Sequence, residues 1–139
     1  MECIPYESLL VIDYSNMYIR EMISTHQIYC EVEGVLAISK GNEYIFLEEN
    51  ILLLEFAKAL NAWGKQSDLD FEYYSMDYEE GPIIYFRHQN LKTCRVGGVW
   101  LEGVCYEVQR VELILACDIF IRKILNDLIS RGVGSELLF

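Results

Sequence analysis

The sequence predicts an α+β fold in which an antiparallel sheet of about five to six strands packs against two main helices, over about 50–64 and 110–131. Three observations lead there. Two segments repeat apolar residues at helical spacing, several short segments alternate with a period of two, and turn-forming residues stand between them. The chain has 139 residues, 53% of them hydrophobic and only two of them proline. That is the size of one domain with a sizeable core, so residues 1–139 are read as a single domain without linker or repeat.

The first segment, Ser8 to Ile19, holds Leu9 to Ile12, Tyr14, Met17 and Tyr18, and its spacing fits a strand and a helix equally. From Gln27 to Ser39 the alternation of Ile28, Cys30, Val32, Val35 and Ala37 predicts a strand, with Gly34 as a bulge. Lys40-Gly41-Asn42 is a turn, and Tyr44 to Leu47 returns as the second arm of a hairpin. Asn50 can cap the first helix and Gly64 can supply its left-handed end. Between them Leu53, Phe56, Leu60 and Trp63 form one apolar stripe.

Beyond Ser67 the period changes to two, with Leu69, Phe71 and Tyr73 facing inward between Asp68, Asp70 and Glu72. Tyr78 to Pro82 makes a turn, and Ile83 to His88, Cys94 to Leu101 and Val104 to Val108 continue a meander. Gly97-Gly98 marks a bulge or a close approach of backbones, and Trp63 and Trp100 are both read as core. In the last helix Leu113, Cys117, Phe120, Ile124 and Leu128 share a stripe that Gly132 can end. Glu112 near its start and Arg122, Lys123 and Arg131 later suit the helix dipole. The apolar tail Leu137-Leu138-Phe139 either docks back or stays exposed.

The formal charge is −11. Such a chain repels phosphate backbones and anionic membranes, so neither nucleic acid nor membrane is expected as a partner. The amino terminus has no basic region followed by a long apolar run, so the chain is expected in the cytoplasm. Cys3, Cys30, Cys94, Cys105 and Cys117 have no Cys-x-x-Cys spacing and read as reduced thiols, not a zinc site. Asp68, Asp70, Glu72 and Glu79 fall at calcium-loop positions, but Tyr73 stands where the sharp turn needs glycine, so no metal or other cofactor is expected. Only His26 and His88 are available as bases, in no nucleophile motif, and Cys94 with His88 is the one pair worth weighing. The chain is therefore not expected to be an enzyme.

The densest feature runs from Asp68 to Glu80, where acids alternate with tyrosines and no basic residue intervenes. Carboxylates that can pair with Lys and Arg, beside tyrosines that give contact area at little entropic cost, suit a surface for a basic protein. The plainer alternative is a solvated strand face with half-buried tyrosines. Tyr74, Asp77, Tyr78, Glu79 and Glu80 are the candidate contact residues. A second patch is formed by Glu43, Glu48 and Glu49, around the start of the first helix.

The helix with Leu53, Phe56, Leu60 and Trp63, followed by Phe71-Glu-Tyr-Tyr-Ser-Met-Asp-Tyr-Glu-Glu-Gly-Pro-Ile-Ile and then Val99-Trp100, resembles small bacterial immunity proteins. These accompany the toxins of contact-dependent growth inhibition and related polymorphic toxin systems. The resemblance spans roughly the middle and carboxy-terminal two-thirds of the chain and carries no catalytic signature. It implies a cytosolic inhibitor that binds the carboxy-terminal toxin domain of a delivered effector and covers its active site or substrate cleft. A nuclease, whose cleft is basic, suits an acidic inhibitor best. The competing expectation is a regulatory or structural domain that associates with itself through a sheet edge or through the apolar tail.

Overall fold

The computed structural model describes residues 9–20 and 26–139. Cys3, Ser8 and the amino-terminal stretch read for a leader lie outside the described residues.

Two meanders, each running into a helix, make up the fold. Strands β1 (Leu10–Ile19), β2 (Val32–Lys40) and β3 (Glu43–Leu52) form one antiparallel sheet, and helix α1 (Leu53–Gly64) follows. Strands β4 (Phe71–Tyr73), β5 (Ile84–His88), β6 (Thr93–Gly97) and β7 (Tyr106–Gln109) form a second, followed by helix α2 (Arg110–Ser130). The α+β class is as expected, but the one sheet of five to six strands is instead two sheets of three and four. β3 passes into α1 without a loop, and after the helix β4 starts a new ladder by pairing with β5.

The ambiguous first segment is a strand whose periodicity is broken by a bulge. Leu10, Ile12 and Tyr14 face inward at a spacing of two, the register then shifts between Ser15 and Tyr18, and Met17 becomes the next buried residue. One extra residue in a strand moves the following side chains to the other face, which mimics helical spacing in the sequence. Between β1 and β2, residues His26–Cys30 form a 3-10 turn, so the second strand starts later than Gln27. The bulge expected at Gly34 falls on its neighbours instead: the extra residues are on β1 between Ser15 and Tyr18 and on β3 between Glu48 and Ile51. A Cβ on Gly34 would meet the Leu53 side chain at 2.8 Å and the Ser15 carbonyl at 2.9 Å, so the sheet and α1 close over the glycine.

Neither predicted cap of the first helix is used. Asn50 belongs to β3 with φ 60°, and Leu52 precedes the helix without a side-chain cap. Gly64 is the last helical residue, and the next, Lys65, keeps a right-handed conformation. At α2, by contrast, Gly132 takes φ 96° just past the helix, as its position predicts. Its N–H bonds the Ile129 carbonyl, and the Val133 N–H bonds that of Leu128.

The helices pack on one another and share a single core with both sheets. Its centre is aromatic. The Phe56 ring of α1 meets Phe71 and Tyr73 of β4 and Phe120 of α2 at centroid distances of 6.2, 5.1 and 5.6 Å, all edge to face. Trp63 packs on Phe71 and Phe86 and donates its indole N–H to the Leu69 carbonyl at 2.8 Å. Leu69 itself is exposed, so the predicted inward triplet of the next strand reduces to Phe71 and Tyr73. The strand expected over Cys94 to Leu101 ends at Gly97, and Val99–Leu101 forms a 3-10 turn. The tail docks back: Leu137, Leu138 and Phe139 are half-buried, and the Phe139 ring stacks on Tyr29.

Two buried phenols tie the elements together. Tyr14 of β1 donates to the Asp127 carboxylate of α2 at 2.9 Å, and Tyr73 of β4 to Glu55 of α1 at 2.7 Å. Burial first, and then these carboxylates, push both hydroxyls well above the ordinary tyrosine pKa. A folded-state pKa above the unfolded one favours the protonated form, so this stabilisation is whole below about pH 10 and declines as pH rises past that value. In an alkaline titration, Tyr14 and Tyr73 are expected to form phenolate only as far-UV circular dichroism is lost. Phenolate absorbance that reaches all tyrosines while the protein stays folded would contradict both hydrogen bonds.

Candidate functional site

The loop between β4 and β5, residues 74–83, carries most of the predicted contact residues and is held at several points. Glu55 stands in the first turn of α1, where the helix dipole favours a carboxylate. One of its oxygens accepts the Tyr73 hydroxyl, and the other the Met76 N–H at 3.4 Å. Ser75 is buried, and its hydroxyl accepts the Asp77 N–H at 3.2 Å. Farther along, Tyr78 donates its hydroxyl to the Asn50 carbonyl at 3.0 Å. Its ring stands at 87° to Trp100, with centroids 4.9 Å apart. The Trp100 indole N–H in turn donates to Glu80 at 3.1 Å.

These contacts join the two acidic patches of the sequence. The carboxylates of Asp77, Glu33 and Glu48 lie near enough to Tyr78 that, after burial, they are what raises its hydroxyl pKa. Glu48 stands two residues beyond Phe46, and Phe46 stacks on Trp100 with centroids 6.3 Å apart. Glu49 is exposed next to Asn50, whose left-handed φ lies at a break in the β2–β3 register. Glu43 does not join them. It sits at the far end of β3, about 17 Å along the strand, where it lines a small groove with Lys40 and Tyr106.

Among the described residues, Arg20 is the cation that reaches this group. Its guanidinium lies 3.7 Å from Glu31, 3.2 Å from Glu33 and 3.8 Å from Asp77, and also donates to the Cys30 carbonyl. Glu33 is almost fully buried, and it additionally accepts the Tyr18 hydroxyl at 2.8 Å. Arg20 thus stabilises the buried end of the cluster. At the outer end Glu79 and Glu80 are exposed, Tyr74 is 58% exposed and Met76 64%.

Sequence reasoning missed Arg20, Glu33, Glu55, Asn50 and Trp100. Four of the five lie at least 18 residues from the loop they brace, and nothing in their local pattern signals that. The local pattern predicts the core for Trp100. It is half-buried because the 3-10 turn lifts it to the rim, although the unusual Gly97-Gly98 before it marked the place.

The pair weighed for nucleophilic chemistry does come together. Gln89 N–H bonds the Thr93 carbonyl at 3.0 Å, which makes His88 and Cys94 the adjacent cross-strand pair whose side chains stand close. His88 Nδ1 lies 3.2 Å from Asp70. Cys94, however, is wholly buried and its thiol pKa is raised by burial, which opposes formation of the thiolate a nucleophile needs. Of the acids at calcium-loop spacing, Asp70 accepts from His88 and Glu72 pairs with Arg87. No helix among the described residues is long and apolar enough to cross a membrane.

Fold and surface together define a small α+β domain with two meanders, two helices and a braced loop of acids and aromatics. The chain belongs to the family described as a domain of unknown function, DUF7878, whose model matches residues 11–130. No curated protein and no solved structure matches the chain.

Proposed function

We propose that this chain is a cytoplasmic immunity protein, without catalytic activity, that binds and neutralises a cognate toxin domain through the braced loop. The observation that carries the reading is the organisation of that loop. Tyr74, Met76, Asp77, Glu79 and Glu80 lie in a segment already fixed by Glu55, Ser75, Asn50 and Trp100. A surface ordered before contact loses little entropy on binding, and the exposed Tyr74 beside exposed carboxylates offers a basic partner contact area and charge together. The net charge of −11 adds steering toward a cationic cleft. A nuclease, whose cleft holds phosphates, is the toxin class that this charge suits.

The test is co-purification with the carboxy-terminal domain encoded by the adjacent upstream gene, followed by titration at two salt concentrations. A tight one-to-one complex that weakens with salt and protects cells expressing that domain is expected. Glu79→Lys with Glu80→Lys should weaken it at least 100-fold, about 2.7 kcal/mol. A complex of unchanged affinity in that double variant would remove the loop from the interface, and absence of any complex or protection would end the immunity reading.

A further inference from the structure

Helix α2 has a second apolar seam, on the side opposite its buried one. Leu113, Cys117, Phe120, Ile124 and Leu128 face the core. On the outer side Val111, Leu115, Asp118, Arg122, Leu125 and Ile129 recur at alternating steps of four and three. That is the spacing of the contact positions of a coiled coil, and it keeps one narrow stripe aligned over the whole helix. Val111 is 74% exposed, Leu115 59% and Ile129 48%, and Leu125 is half-buried. A helix that is apolar on both sides is normally covered on both. Beside this seam, α1 and α2 leave an open groove of about 460 Å3 that includes Leu60, Trp63, Leu115 and Ile121, so the apolar surface extends beyond the helix itself.

The order of residues along the seam points to its occupant. Asp118 and Arg122 are centred on Phe120, and so are Leu115 with Leu125 and Val111 with Ile129. Turned antiparallel about a two-fold axis at Phe120, the seam therefore meets its own complement. Asp118 of each copy faces Arg122 of the other, Leu115 faces Leu125, and Val111 faces Ile129. A two-fold contact requires this reciprocity, and a polar pair at the middle of an apolar seam sets register and orientation.

Charge permits the same occupant at this face. Two chains of −11 repel, and they can approach only where acid is sparse. The seam itself is neutral, because Asp118 and Arg122 are paired at 2.9 Å within the helix, and Lys65, Lys92 and Arg110 lie around the groove and its continuation past Leu91.

We propose that a second copy of this chain docks antiparallel on the outer seam of α2, with reciprocal Asp118 to Arg122 pairs at the centre of the interface. This contact uses none of the residues of the acidic loop and stands independently of the toxin reading. It differs from a route through the apolar tail, whose Phe139 is docked on Tyr29.

Sedimentation of the full chain over about a hundredfold range of concentration tests it, because a reversible dimer dissociates by mass action. The mass is expected to rise from one chain to two and to stop there. Leu115→Glu should abolish the rise. Asp118→Arg alone gathers four guanidinium groups at the centre and should weaken the dimer about 100-fold, as should Arg122→Asp with four carboxylates. The double exchange, Asp118→Arg with Arg122→Asp, rebuilds the pairs and should restore it. Leu115 and Arg122 are exposed and Asp118 is half-buried, so an unchanged circular dichroism spectrum of each variant verifies folding. A wild-type chain that remains a monomer throughout would overturn the proposal, and so would a dimer indifferent to the single charge reversals.

Discussion

Phe56→Ala is expected to lower the free energy of unfolding by about 3–5 kcal/mol, the largest effect of any single truncation considered. The ring is wholly buried and is the one that touches α2 and both aromatic residues of β4 from α1. Removing it leaves a cavity with walls from three elements, each pinned by its own ladder or helix, so little collapse can fill the space. For a domain of this size the loss corresponds to a fall in Tm of roughly 10–15 °C. Phe56→Leu keeps most of the volume and should cost well under half as much. Chemical denaturation followed by circular dichroism reads both. A cost below about 1 kcal/mol for the alanine variant would mean that the two halves of the molecule do not share this core.

Gly98→Ala is expected to damage both stability and binding. A Cβ on Gly98 would lie 1.9 Å from the Ile83 carbonyl oxygen, a backbone atom that no rotamer change can move aside. The conflict is steric, since the φ of 173° at Gly98 is extended backbone open to any residue. Relieving it means separating the start of the Val99–Leu101 turn from the strand segment beside it. The bond from Val99 N–H to the Pro82 carbonyl, 2.9 Å long, is then lost or stretched. The cost of such overpacking is about 1–3 kcal/mol or more. Trp100 rides on that turn, so its contacts with Tyr78 and Glu80 should loosen, and the affinity for a basic partner should fall with them. Gly64→Ala is the control, because nothing lies within 4 Å of a Cβ there and alanine favours the helix. If both variants proved equally stable, the close approach at Gly98 would be wrong.

How far the site could be read in advance depended on the range of the contacts that make it. Asp68 to Glu80 stands out locally, as acids and tyrosines without a cation, and the loop it marks is where the structure gathers the exposed Tyr74, the half-buried Tyr78 and exposed carboxylates. Glu48 was singled out for charge alone, yet it reaches the same surface because Tyr78 crosses to Asn50. Glu43, chosen by the same criterion, lies at the other end of its strand. Proximity in sequence cannot separate these two cases, because a strand moves successive residues about 3.3 Å apart along one line and only its neighbours decide which end is covered.

What the sequence by itself determined were the features set by local periodicity and backbone chemistry. The inner stripes of both helices, the hairpin at Gly41, the close approach at Gly97-Gly98 and the helix end at Gly132 all belong to that class. Each depends on the spacing of neighbouring side chains or on a glycine's lack of a Cβ, and both are visible in a short window. Only the tertiary structure decided that the strands divide into two sheets, that Arg20 enters a cluster of three carboxylates, and that Trp100 sits at the rim beside Tyr78. Strand pairing and ion pairing join residues far apart in the chain. Several partners satisfy the same local pattern equally well, and the choice among them falls to how the whole core closes.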